Sequence, residues 1–189
     1  MAESNNKIVD AIVVLEFRSI ARGIEAGDAM LKTADIKLLQ ATPVCSGKYV
    51  LIMGGPVADV MAALSAGKDV GKDLIIDELL IPNVHPDVFP ALMAATTVET
   101  AESIGIIETL TCATCVLAAD IAAKTGRVKL LEIRMARGLG GKAFAIMAGN
   151  VSAVRVAVEA GAASAAEAGL LVQSVVIPSI HPRMLENLM

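Results

Sequence analysis

The sequence has no tryptophan, one tyrosine and three phenylalanines. Platforms for stacking nucleic-acid bases are therefore missing. An excess of positive charge is missing too, since 16 lysines and arginines stand against 20 aspartates and glutamates, a net charge of −4. Such a balance supplies no polycationic face for a phosphate backbone, so nucleic acid is not an expected partner. Three cysteines are too few, and odd in number, for a disulfide framework, which points to a reducing compartment. Long apolar runs are also lacking. Those at 11–15 and 49–53 stop at strand length, well short of the roughly 18 residues of a membrane-spanning helix. The opening residues, Met1 to Lys7, lack the basic-then-apolar pattern of a secretory signal, so the chain is expected in the cytosol and not in a membrane.

What is present is aliphatic. Hydrophobic residues make up 55% of the 189, carried by Ala, Val, Ile, Leu and nine Met, and the mean hydropathy is +0.66. A disordered chain is poor in apolar residues, so disorder is excluded. The length allows one large domain or two small ones. The apolar excess has to be covered, and permanent contact with other subunits is the simplest cover.

The chain repeats itself. Ile12-Val-Val-Leu-Glu16 is echoed by Ile104-Gly-Ile-Ile-Glu108, and at the same offset Asp28 meets Asp120, Lys32 meets Lys124, and Lys37-Leu38-Leu39 meets Lys129-Leu130-Leu131. After a short insertion Gly47-Lys48 meets Gly141-Lys142, Gly55 meets Gly149, and Ala66-Gly67 meets Ala160-Gly161. After a second, Ile81-Pro82-x-x-His85-Pro86 meets Ile177-Pro178-x-x-His181-Pro182. This is a tandem duplication, with a first copy at 8–98, a second at 102–189, and a joint at 96–102.

Each copy reads alike. A continuous apolar run, 8–17 or 104–110, is a buried strand. Ser19 or Thr111 caps the following helix, on which Ile20, Ile24, Leu31 and Ala34 share one face. Strands at 37–42 and 49–54 flank a turn at Gly47, and Gly55-Pro56 or Gly149-Asn150 opens a second helix, expected to end at Gly67 or Gly161. A fourth strand, 74–81 or 170–177, runs into the Pro-x-x-His-Pro turn and a short terminal helix. The order β-α-β-β-α-β is a split βαβ unit, ferredoxin-like in class (α/β in content, α+β in layout), with one helix-covered sheet face.

These residues resemble a known family. The element order, Asp-x-x-x-Lys late in the first helix, the Gly-Lys turn and the strand ending in Ile-Pro-x-x-His are similar to bacterial microcompartment shell domains. Two in one chain resemble the tandem class, whose members form pseudohexameric trimers. Through Gly23-Ile-Glu-Ala-Gly-Asp-Ala-Met-Leu-Lys32 and Cys45-x-Gly-Lys48 the chain is most similar to the iron–sulfur-carrying tandem shell proteins of propanediol-utilisation compartments. The resemblance implies a homotrimer in a cytoplasmic compartment's shell, laterally joined to other shell proteins and facing encapsulated redox enzymes. It places Lys32 and Lys124 at tile edges. The turn with Cys45, Ser46 and Gly47, and its counterpart with Gly138, Leu139 and Gly140, would line a central pore. Many relatives carry Arg after the strand-ending Pro, where this chain has Asn83 and Ser179, so the tile-corner contacts differ.

Each motif also has a plainer reading. Lys32 and Lys124 would be solvated lysines near a helix C-terminus, where the dipole favours a cation. Cys45 would be an inert thiol. With three-fold symmetry it would instead present three thiolates to one axis, enough to ligate three irons of a [4Fe–4S] cluster or to hold a zinc ion. The second copy has Arg137-Gly-Leu-Gly-Gly141 there and no cysteine, which excludes a ring of six thiolates. Cys112 and Cys115 share a helix face as a redox pair would, yet they match Ile20 and Gly23 and are expected in core packing or a subunit contact. His85 and His181 are expected to close the strand-to-helix corner. Glu16 and Glu108 are paired by duplication and not by convergence on an acid–base site. Gly138-Leu-Gly-Gly141 does not open a helix in the manner of a phosphate-binding loop. The sequence thus favours a structural tile without catalysis. It leaves two readings open beside it: a small-molecule sensor built on duplicated ferredoxin-like domains, and an oxidoreductase using Cys112 and Cys115.

Overall fold

The computed structural model describes residues 10–96, 100–135, 138 and 140–188. The chain divides into two compact units, one ending at Val84 and one beginning at His85. The repeat places 85–96 with the first copy, but these residues pack within the second unit.

The first unit runs β1 (Ala11–Phe17), α1 (Ile20–Thr33), β2 (Lys37–Val44), β3 (Lys48–Gly55), α2 (Val57–Gly71) and β4 (Ile75–Ile81). The second holds α3 (Val88–Leu92), β5 (Ser103–Thr109), α4 (Cys112–Thr125), β6 (Lys129–Met135), β7 (Ala143–Gly149), α5 (Val151–Glu167), β8 (Leu171–Pro178) and α6 (Pro182–Leu188). Each sheet is antiparallel, ordered β2-β3-β1-β4 and β6-β7-β5-β8. That is the split βαβ topology expected from the sequence. The likeness extends to irregularities. Register slips after Leu38 and after Leu130, and again between Glu16 and Phe17 and between Glu108 and Thr109. Equivalent bulges in both copies mark them as parts of the fold.

The caps follow the sequence. Ser19 Oγ accepts from the Arg22 N–H and Thr111 Oγ1 from the Thr114 N–H, both at 3.3 Å. Asn150 Oδ1 accepts from the Ala153 N–H at 2.9 Å and begins α5. In the first unit the core lies between the helices and one sheet face, where Val13, Leu15 and Phe17 meet Ala26 and Met30 of α1 and Val60 and Ala63 of α2.

Three expectations need correction. The stripe of Ile20, Ile24 and Leu31 does not face the core of α1. Those side chains are exposed, and the helix buries Gly23, Ala26, Gly27 and Met30 instead. Small residues win because the helix lies close to the sheet: a Cβ on Gly23 would fall 2.5 Å from Tyr49 Cδ1. Gly67 and Gly161 are not helix ends, since α2 continues to Gly71 and α5 to Glu167. They sit at close approaches, where a Cβ on Gly67 would meet Leu15 and Met30 at 2.7 Å and one on Gly161 the Ala118 carbonyl oxygen at 2.5 Å. The stop of α5 is Gly169, at φ +70°, with the Gly169 N–H bonded to the Ala166 carbonyl and the Leu170 N–H to that of Ala165. Finally, the second sheet is covered on more than one face. Ile180 and Leu185 of the α6 region pack on Ile104, Leu131 and Ile146, the face opposite Gly105 and Ile107, which meet α5.

Candidate functional site

The β2–β3 connection is a three-residue turn, Cys45–Gly47, closing on the pair Val44 and Lys48. Ser46 at φ +65° and Gly47 at φ +71° both take left-handed backbone. A Cβ added to Gly47 would have open space around it, so glycine is required there by conformation alone. Cys45 is half-buried and in no disulfide. The corresponding β6–β7 turn carries Gly138, Gly140 and Gly141 at φ +74°, +63° and +87°. Leu139 lies outside the described residues, as does Arg137.

Both turns are anchored alike. Lys48, the first residue of β3, donates to Glu16 Oε1 at 2.8 Å. Lys142, one residue before β7, pairs with Glu108 at 2.5 Å. Glu16 lies opposite Val50, so Lys48 is its diagonal neighbour two residues along the adjacent strand. The Glu16 side chain is 0% exposed and that of Glu108 30%, so the first pair is the more deeply desolvated. Glu16 and Glu108 each hold the lysine of their own unit. Each neutralises and positions the lysine behind its own turn. The sequence shows both glutamates and both lysines as repeated, but the pairing depends on strand register and could not be read from it.

The two helix lysines are paired with the carboxylate one turn earlier, Lys32 with Asp28 and Lys124 with Asp120, each at 2.6 Å. Their surroundings differ. Asp28 is exposed, whereas Asp120 is nearly buried and also accepts from the His85 N–H at 2.7 Å. His85 Nδ1 accepts from the Asp87 N–H and His181 Nδ1 from the Arg183 N–H, both at 3.2 Å. Both histidines therefore close the strand-to-helix corner, as their position before proline suggested.

Cys112 and Cys115 are fully buried in α4. Burial pushes the Cys115 thiol up to about 12, opposed by a hydrogen bond with Thr109. A thiol so far from ionisation is a packing group and not a nucleophile. Its pseudo-equivalent, Gly23, gives way to the Tyr49 ring, while the second copy has Cys115 and Ala143 at the two positions, both buried. Bulk has moved from strand to helix, so the reading as core is right. Among the described residues no three His, Cys, Asp or Glu side chains of one chain gather as a metal site, and no helix is long and apolar enough to cross a membrane. A shallow groove lined by Arg22, Glu25, Asp69, Lys72 and Asp73 mixes both charge signs and carries no convergent donor set.

The family model "BMC domain" matches twice, over residues 11–84 and 103–180. The bacterial microcompartment shell protein PduT of Citrobacter freundii is 44% identical over 92% of this chain and 95% of its own length. The carboxysome assembly protein CcmO of Synechococcus elongatus is 32% identical over 100% of this chain and 70% of its own. A crystal structure of a microcompartment protein from Desulfitobacterium hafniense DCB superposes with a TM-score of 0.88 at 47% identity, covering 95% of this chain and 99% of that one.

Proposed function

This chain belongs to the BMC-domain family of bacterial microcompartment shell proteins, and we propose that it is a homotrimeric tile whose central pore is lined by the Cys45 turns of three subunits. The observation that carries this reading is the setting of Cys45. It is a half-buried thiol on a short turn with two left-handed residues, it is pinned from behind by Lys48 and Glu16, and it has no counterpart in the second copy. One chain therefore brings one thiol, and three-fold symmetry brings three.

Three thiolates fit a [4Fe–4S] cluster as ligands to three of its irons, leaving the fourth to an outside ligand. The absence of a single-chain metal cluster among the described residues is consistent with a donor set that has to be assembled between chains. When bound, the cluster supplies a one-electron carrier at the pore. The chain's own part is to present the thiol and keep the turn rigid. The Glu16–Lys48 pair neutralises charge behind it, and left-handed Ser46 and Gly47 hold the loop tight. Gly138, Leu139 and Gly140 are assigned to the intervening loops of the same pore. Lys32 and Lys124, steered by Asp28 and Asp120, are assigned to the tile edges, where other shell proteins join. A redox enzyme inside the compartment is the partner such a pore would serve. The tile itself is assigned no catalysis, and 8–98 and 102–189 remain its two repeats.

Iron and acid-labile sulfide in anaerobically purified protein, beside a Cys45→Ser variant, test the reading. It predicts about four of each per trimer in the wild type and none in the variant. No iron in either would leave a cluster-free tile with a small-metabolite pore. Electron microscopy separates tile from sensor, since extended hexagonal layers are expected and discrete oligomers alone would favour a sensor.

A further inference from the structure

The two pore turns share a backbone and differ in what they hang on it. Matching Gly47 to Gly141 sets Ser46 against Gly140, and the conformations agree, at φ +65° and +63°. The left-handed region favours glycine, and a side chain there carries a conformational cost. Space does not decide between the two residues, since a Cβ on Gly140 would meet nothing within 4 Å. Packing does not offset the cost at Ser46 either, because that residue is exposed. The chain thus keeps a serine in a glycine's conformation. It does so in the copy that carries the thiol, one residue from Cys45.

What serine adds over glycine there is a hydroxyl. Within Cys45–Gly47 it is the one oxygen or nitrogen donor on a side chain. The next donor along, the Lys48 ammonium, is turned to Glu16 Oε1 on β1 at 2.8 Å. Gly138, Gly140 and Gly141 of the second turn bring no side chain at all. With three chains around one axis, three thiols come with three hydroxyls at neighbouring positions.

We propose that Ser46 tunes the redox chemistry of the pore: its hydroxyl donates a hydrogen bond to sulfur of the cluster that Cys45 ligates, and so raises the cluster's reduction potential. The reduced cluster carries one more negative charge than the oxidised one, so a donor aimed at its sulfur favours the reduced form. The proton stays on the serine and no bond is made or broken, so the electron remains the only thing transferred. The inference rests on the cluster reading and deepens it, from a carrier at the pore to a carrier whose potential is set by the residue beside its ligand.

Potentiometric titration of the anaerobically purified trimer, followed by electron paramagnetic resonance, tests it on Ser46→Gly and Ser46→Asn. Glycine suits the left-handed backbone and removes the donor; asparagine tolerates that backbone and restores one. Ser46→Gly is expected to keep its cluster and to have a urea midpoint no lower than wild type. Its oxidised-to-reduced equilibrium should shift about tenfold towards the oxidised form, a fall of about 59 mV for a one-electron couple. Ser46→Asn is expected to titrate close to wild type. A purely conformational role for Ser46 would move the urea midpoint and leave the potential alone. A cluster-loaded Ser46→Gly trimer with the wild-type potential, or an asparagine variant that falls as far as the glycine one, overturns the proposal and leaves the cluster reading standing. A Ser46→Gly trimer without iron would make Ser46 a ligand and not a tuning group, and overturns it too. A wild type without iron overturns both.

Discussion

Gly67 and Gly161 occupy equivalent positions, yet alanine at the two should behave differently. In either helix alanine gains about 1 kcal/mol of intrinsic propensity over glycine. Against that stands crowding. At Gly161 the new Cβ would lie 2.5 Å from the Ala118 carbonyl oxygen of α4, where an ordinary C···O contact is about 3.3 Å or more. The obstacle is backbone, so α4 and α5 have to separate by roughly 0.8 Å, at the upper end of the ~1–3 kcal/mol cost of overpacking. At Gly67 the obstacles are side-chain atoms and not backbone: Leu15 Cδ1 and Met30 Sδ, both at 2.7 Å, and Met30 Cγ at 3.0 Å. A rotamer change relieves them, so the cost falls near the lower end and is nearly offset by propensity. The net expectation is a loss of about 2 kcal/mol for Gly161→Ala and about 0–1 kcal/mol for Gly67→Ala. Urea denaturation at fixed protein concentration reads the difference as a lower midpoint at unchanged slope. By heat, the first variant should lose about 4–8 °C. Equal midpoints, or a Gly161→Ala variant more stable than the parent, would refute the reasoning that backbone contact decides.

Four further expectations follow from the geometry. Lys48→Met removes the ion-pair partner of the buried Glu16 carboxylate and should cost about 3 kcal/mol, whereas Lys142→Met, beside the more exposed Glu108, should cost under about 1 kcal/mol, with urea midpoints giving the comparison. Cys115 has a folded pKa raised to about 12 from 9.0, so its contribution to stability is complete below about pH 9 and is lost as pH climbs towards 12; Cys115→Ala should flatten that part of a pH–stability profile. Thiol reagents should accordingly label cluster-free Cys45 in the native protein and reach Cys112 and Cys115 only on unfolding. Lys32→Asp places a second acid beside Asp28 at the assigned tile edge, and microscopy should show loss of extended layers with the trimer intact. Unchanged layers would remove Lys32 from the edge.

The sequence is legible where the duplication speaks. Two copies of Ile-Pro-x-x-His-Pro, of the Gly-Lys turn and of Asp-x-x-x-Lys fix the element order, and period-2 and helical patterns fill it in. It misleads at α1. A periodicity rule sends Ile20 and Ile24 to the core, but packing at close range favours Gly23, Ala26 and Gly27, and the isoleucines are left outside. The same error turned Gly67 and Gly161 into caps, since a glycine at a close approach and one at a helix end look identical in a string of letters. The Glu16–Lys48 and Glu108–Lys142 pairs were out of reach because they depend on register across two strands and not on spacing along one. Comparison of the copies could have flagged them, because both members recur at both sites. The burial of Cys112 and Cys115 was legible from their matches in the repeat, although the match to an exposed Ile20 shows that equivalent positions need not be equally covered.

The central claim is that three chains bring three Cys45 thiols to one pore. Its most direct test is the native mass of anaerobically purified protein beside Cys45→Ser. The account predicts three 19.5 kDa chains plus one [4Fe–4S] cluster for the wild type, and three bare chains for the variant. A wild-type assembly that is not a trimer, or a trimer with no mass beyond its three chains, would contradict it.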